Sequence, residues 1–179
     1  EDLLFRPGFL ELSERGLEQL LVLSKEIALL VGAPRKVSCG LRNCALVLAE
    51  GEIKAQYSKY ELPNYSVFDE KRYFLAGDEP CVFEIGDVKF GVTICEDIWE
   101  QRAVEASAVA GAQVIININS SPFHTGMLAE RYQLVAEKAR KVNCPIIYLN
   151  QVGGQDELVF DGGSFCVNAK GELTQRLDC

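Results

Sequence analysis

Residues 91–100 read GVTICEDIWE, an apolar run that ends in a cysteine followed at once by two acids. Thiolate is the reactive form of cysteine, and adjacent carboxylates raise the cost of making it. Cys95 is therefore either a small buried residue closing a core strand, or a nucleophile for which something nearby offsets Glu96 and Asp97. Its place suits the second role, because VKFGVTIC has strand character and helical sequence follows. A strand-to-helix turn exposes a nucleophile and aims backbone N–H groups at a reacting carbonyl. The partial positive charge of a helix start also favours a thiolate.

A cysteine nucleophile needs an activating partner. His124 is the single histidine, so a Cys95–His124 pair is one arrangement. Lysine with glutamate is the other, and YSKYELPNYSVFDEKRYF (57–74) is dense in both. The same segment also reads as a solvated polar loop anchored by aromatic residues. SSPFHTG (120–126) and NQVGGQDELVFDGGSF (150–165) read either as loops lining a site or as plain connections. In open α/β sheets, sites gather beyond the carboxyl ends of strands. No GxGxxG or GxxxxGK[ST] run occurs, so no dinucleotide or P-loop phosphate cradle is expected.

The elements that must position these residues follow from periodicity. Leu20, Leu23, Ile27, Leu30 and Val31 recur at helical spacing, which predicts a helix over 14–31 capped by Ser13 and ended by Gly32 and Pro34. CALVLAE and EIKAQY predict a hairpin about Gly51, and CVFEI and VKFGVTIC a second about Gly86-Asp87. After Cys95 the period changes. Residues 99–110 read as a helix, QVIINI as a buried strand, 127–142 as an amphipathic helix, and PIIYLN as another buried strand. SFCVN and ELTQRL predict a last hairpin. Strand, helix, strand, helix, strand argues for an α/β layer architecture.

The 179 residues suit one domain, and a formal charge of −8 argues against nucleic acid as the main partner. No apolar run approaches the roughly 18 residues needed to cross a bilayer, so no membrane partner is expected. Seven cysteines (Cys39, Cys44, Cys81, Cys95, Cys144, Cys166 and Cys179), with no CxxC pair, fit a reducing, cytoplasmic compartment and no structural metal.

Taken together, YSKYELPNYSVFDEKRYF, GVTICEDIW, NSSPFHTG and NQVGGQDELVFDGGSF resemble the glutaminase domain of glutamine-dependent NAD synthetases, within the nitrilase superfamily. The resemblance implies an α/β fold, a nitrilase-like four-layer α-β-β-α sandwich incomplete at both ends, with residues 1–179 forming one partial carbon–nitrogen hydrolase domain. It implies Cys95 as nucleophile, Lys59 as the site lysine and Glu70 as a supporting glutamate. Tyr65, Glu96, Trp99 and Ser121 match positions that shape the glutamine pocket. The family base is a glutamate in a PEL-type motif, upstream of a segment like the one in which Glu1-Asp2-Leu3 stand, and Glu1 does not replace it. A basic residue usual after the SPFH-type segment is Met127 here, with Arg131 one turn on as a candidate substitute.

The implied function is hydrolysis of the glutamine amide through a thioester. Ammonia would be supplied to a C-terminal synthetase domain that uses ATP and Mg to convert nicotinic acid adenine dinucleotide to NAD. An SGGxDS-type loop is not in this sequence, so no cofactor is expected of this chain. Glutamine, the synthetase domain and further copies in a homo-oligomer are the expected partners. Two alternatives stand beside this reading: a structural or interaction module without hydrolysis, and an amidase acting on another small amide.

Overall fold

Leu17, Leu20 and Leu21 recur at helical spacing and bury one side of a helix, α1 (Phe9–Leu23). The structure is a computed structural model that describes residues 2–178; Glu1 and Cys179 lie outside the described residues. The chain forms two compact units, Glu1–Phe83 and Glu84–Cys179.

In the first unit α1 covers an antiparallel sheet of β1 (Leu29–Val37), β2 (Gly40–Ala49) and β3 (Glu52–Ser58), in that order. Side chains alternate between faces along a strand. Cys44, Leu46 and Leu48 of β2 join Ala33, Val31 and Leu29 of β1 against α1. Ala45 and Val47, also buried, therefore point to the opposite face. β2 and β3 turn at Glu50-Gly51, with φ of 56° and 79°. Two successive positive φ values match the twist of a tight hairpin, and glycine at the second position adopts one without steric cost.

The helix expected over 14–31 is corrected here. It begins at Phe9, contains Ser13, and stops at Leu23, where the Ser24 N–H donates to Leu20 O and its hydroxyl to Leu21 O. Leu30, Val31, Gly32 and Pro34 lie in β1, whose nine residues pair with β2 from Leu29↔Leu48 to Val37↔Gly40. The apolar positions of 29–31 fit both periods, and tertiary pairing decides between them. Pro34 lacks an N–H but is tolerated because β1 is an edge strand.

The second unit is built on a sheet of order β11-β10-β7-β6-β5-β4. Its strands are β4 (Cys81–Ile85), in which the division between units falls, β5 (Val88–Ile94), β6 (Val114–Asn119), β7 (Ile146–Asn150), β10 (Phe165–Val167) and β11 (Leu173–Arg176). β5, β6 and β7 are parallel, linked through α2 (Arg102–Val109) and α3 (Met127–Val142). Ile115, Ile146, Tyr148 and Phe165 on the sheet meet Val135 and Ala139 of α3 and Val104 of α2 in one core. The helix expected over 127–142 has those bounds. The one expected over 99–110 starts only at Arg102, because residues 95–98 are wound as a 3-10 turn. The glycine-rich stretch 150–165 is not only a loop, since β8 (Val152–Gln155) and β9 (Leu158–Asp161) form a small antiparallel ribbon in it.

Candidate active site

Cys95 follows the last residue of β5 and opens the 3-10 turn Cys95–Ile98. Its φ is +45°, a left-handed backbone that L residues other than asparagine, aspartate and histidine seldom adopt. Such a conformation costs about 1–3 kcal/mol and persists where surrounding structure enforces it, commonly at functional sites. One enforcing contact is visible. The fully buried Asp97 turns its carboxylate back onto the chain, and Oδ2 accepts the Ile94 N–H at 2.9 Å. The acid two residues from the thiol is thus engaged with the backbone. Glu96 is half-buried, and its carbonyl accepts the N–H groups of Trp99 and Glu100 at 2.9 and 3.3 Å.

The segments after β6 and β7 are joined by a buried polar network. Arg131 of α3 is fully buried, and its Nη1 donates to Asp161 Oδ1 at 2.8 Å. Its Nε donates to Ser121 Oγ at 3.2 Å, and Nη2 donates to the Ser121 and Pro122 carbonyls at 2.8 and 3.0 Å. Asn150 ties the same segments together. Its Oδ1 accepts the Ser121 N–H at 2.9 Å, while Nδ2 donates to the carbonyls of Ser121 and Gly162 at 3.3 and 3.1 Å. Arg131 is therefore a buried strut, not a cation free to grip a substrate. The candidate substitution for Met127 finds no support in its geometry. Met127 itself opens α3, its N–H donating to His124 O at 3.0 Å.

Tyr148 stands beside this network. Its ring stacks on Phe165 at 5.0 Å between centroids, and its hydroxyl is buried beside Ser121. Burial drives the phenol well above its ordinary value of 10.0, and the Cys95 thiol acts in the same direction.

In the first unit Lys59 sits one residue past β3, with its ammonium 2.5 Å from Glu70 Oε1 and both side chains buried. The Lys59 main chain is held on both sides. Its N–H donates to Asn43 O at 2.9 Å, and its carbonyl accepts the Gly77 N–H at 2.7 Å. A Cβ at Gly77 would lie 2.1 Å from the Ser58 carbonyl oxygen, so only glycine allows this approach. Glu70 begins a short 3-10 turn, Glu70–Arg72, and its N–H donates to Pro63 O at 3.1 Å. Asn43 Nδ2 reaches the other carboxylate oxygen, Glu70 Oε2, at 3.5 Å.

The remaining expected residues are spread across the two units. Tyr65 is 56% exposed and meets Phe68 edge-on at 5.9 Å between centroids. Trp99 packs against the core of the second unit, its carbonyl accepting Lys138 Nζ at 3.0 Å. Ser121 is buried, with its hydroxyl on Arg131. His124 is exposed, with Nδ1 3.2 Å from the Thr125 carbonyl oxygen, and it lines an apolar cavity of about 410 Å³ with Phe123, Tyr132 and Phe165. Sequence reading missed Asn43, Tyr148, Asn150 and Asp161. Asn43 stands one residue before the predicted strand CALVLAE and joins it only in the observed β2, so the strand pattern carried no signal for it.

A model of the carbon-nitrogen hydrolase family matches residues 16–178. The glutamine-dependent NAD(+) synthetase of Xanthomonas campestris pv. campestris is 45% identical over 176 residues, covering 97% of this chain and 32% of its own length. That of Aquifex aeolicus is 40% identical over 179 residues, covering 98% and 31%. The chain thus spans about a third of the length of the curated relatives it matches. A solved glutamine-dependent NAD+ synthetase from Acinetobacter baumannii, in complex with adenosine diphosphate, superposes with a TM-score of 0.89 at 37% identity, covering 99% of this chain and 34% of that one. A nitrilase-superfamily amidase from Nesterenkonia gives 0.87 at 23% identity, over 99% and 67%, a likeness of fold alone.

Proposed function

The chain belongs to the carbon–nitrogen hydrolase family, with the fold of the nitrilase superfamily, and on that premise we propose that it hydrolyses the side-chain amide of glutamine. The observation that carries the proposal is the strained Cys95 at the end of β5, with φ of +45° and Asp97 held on the backbone. The names of the relatives supply glutamine as the amide donor.

Cys95 Sγ attacks the amide carbon, and the thiol proton passes to a general base, for which the resemblance implies an upstream glutamate. The resemblance gives Lys59 and the Glu96 N–H the role of stabilising the oxyanion, which hydrogen-bond donors and a cation aimed at the developing charge can fill. Glu70 holds Lys59. The amide nitrogen takes the thiol proton from the base and leaves as ammonia; water, giving a proton to the same base, then cleaves the thioester, and the proton returns to restore the thiol. The resemblance assigns Glu96, Tyr65, Trp99 and Ser121 to the glutamine pocket. Ammonia serves a synthetase domain of the parent protein, which uses ATP and Mg to make NAD; glutamine, that domain and further copies of the chain are the partners, in the cytoplasm. Among the described residues no helix is long and apolar enough to cross a membrane.

Ammonia release from glutamine tests the proposal, with Cys95→Ser as control. Release that depends on Cys95 is the expected result, and release at an unchanged rate from the serine variant overturns it. One observation favours a second reading, an amidase for small amides lacking an α-carboxylate: Met127 carries no charge and Arg131 is consumed by Asp161, Ser121 and Pro122. Faster turnover of butyramide than of glutamine is the outcome that selects it.

A further inference from the structure

Asparagine is a poor strand residue, yet Asn43 lies within β2, two residues before Ala45 on the face turned away from α1. It makes two contacts that converge on one lysine. Its carbonyl accepts the Lys59 N–H at 2.9 Å, and its Nδ2 donates to Glu70 Oε2 at 3.5 Å. Glu70 Oε1 in turn accepts Lys59 Nζ at 2.5 Å. Asn43, Lys59 and Glu70 thus close a ring of three contacts, in which each carboxylate oxygen has a different donor. The ladder between β2 and β3 ends at Cys44↔Ser58, and these contacts, with the Gly77 N–H, hold Lys59 beyond the strand.

We propose that Asn43 is a positioning residue, which fixes both the main chain of Lys59 and the plane of the carboxylate that aims its ammonium. The proposal rests on the reading of Lys59 as the cation that stabilises the oxyanion. Rotation about the last torsion of a glutamate is soft, and a single donor leaves the carboxylate plane free to turn. The second donor from Asn43, at 3.5 Å, biases that plane toward one orientation. Ammonium placement then becomes part of the preorganised electrostatics of the site, where small displacements reduce rate more than binding.

The test uses the full chain with Asn43→Leu, which keeps the branching at Cγ and removes the amide donor, and Asn43→Gln, which returns a donor on a longer stem. Asn43→Ser is the second donor-poor variant, in case the leucine does not fold. Lys59 acylation by acetic anhydride is followed across pH by peptide mapping, beside kcat and KM for amide hydrolysis. With thermal midpoints unchanged, the leucine or serine variant is expected to acylate Lys59 several-fold faster and to lose roughly tenfold in kcat at near-constant KM. Asn43→Gln is expected to recover part of both. Unchanged Lys59 acylation in both donor-poor variants overturns the proposal. If the unaltered chain hydrolyses no amide, faster acylation still supports the positioning role, while the glutaminase reading falls by itself.

Discussion

The Lys59 ammonium and the Glu70 carboxylate lie 2.5 Å apart with both side chains buried, so neither charge has bulk water to fall back on. Removing one partner of such a pair costs about 3–5 kcal/mol, because the other charge stays buried and uncompensated. Lys59→Met and Glu70→Leu are each expected to lower stability by about that amount, and the double variant by clearly less than the sum. Urea unfolding of the four proteins measures the coupling. Simple additivity would show that the pair is not coupled.

The Arg131 guanidinium makes contacts that a lysine cannot reproduce, reaching Asp161, Ser121 and Pro122 from three nitrogens. Arg131→Lys is therefore expected to cost about 2–4 kcal/mol, since it leaves buried acceptors unpaired. Limited proteolysis should show faster cleavage within 120–126 and 151–163 than in the unaltered chain. An unchanged cleavage pattern would mean that Asn150 alone holds these segments.

Gly77 approaches the Ser58 carbonyl too closely for any Cβ, at 2.1 Å. Gly77→Ala should displace the end of β3, costing about 1–3 kcal/mol, and should raise the reactivity of Lys59 next to it. Thermal unfolding and peptide-mapped acylation read the two effects separately. A stable variant with an unreactive Lys59 would argue against this contact as a constraint on the lysine.

Alkaline stability follows from burial. Desolvation raises the thiols of Cys44, Cys81, Cys144 and Cys166 above their ordinary value of 9.0, and raises the Tyr148 phenol above 10.0. A folded-state pKa above the unfolded value means that the native state binds the proton more tightly. That stability is fully present below the unfolded pKa and is lost as pH rises through the folded one. These groups should therefore leave unfolding midpoints level below pH 9.0 and lower them progressively above it. Tyr148→Phe should flatten the part of the fall above 10.0.

Much of the second unit was legible because its strands and helices obey single periods. QVIINI and PIIYLN are parallel strands, and the apolar side of 127–142 is the side that packs. The first unit was less so. Leu30 and Val31 fit a helix and a strand equally, and only pairing with Val47 and Leu46 decides. Among candidate site residues, Cys95 was visible as a thiol at a strand end, and Lys59 and Glu70 through family motifs. The roles of Asn43, Asn150 and Asp161 lie in contacts across 11 to 30 positions of sequence, which spacing does not carry. The positive φ of Cys95 is likewise a property of the turn that Asp97 holds, and not of the residue type.

The central claim is that Cys95 is the nucleophile of a glutamine amidohydrolase. Labelling with a glutamine-like diazoketone, located by peptide mapping and repeated with excess glutamine as competitor, tests it most directly. Four of the other thiols are raised by burial, which favours the protonated form and slows their reaction. The predicted result is a label on Cys95 that glutamine suppresses. A label spread over other cysteines, or one on Cys95 indifferent to glutamine, would contradict the claim.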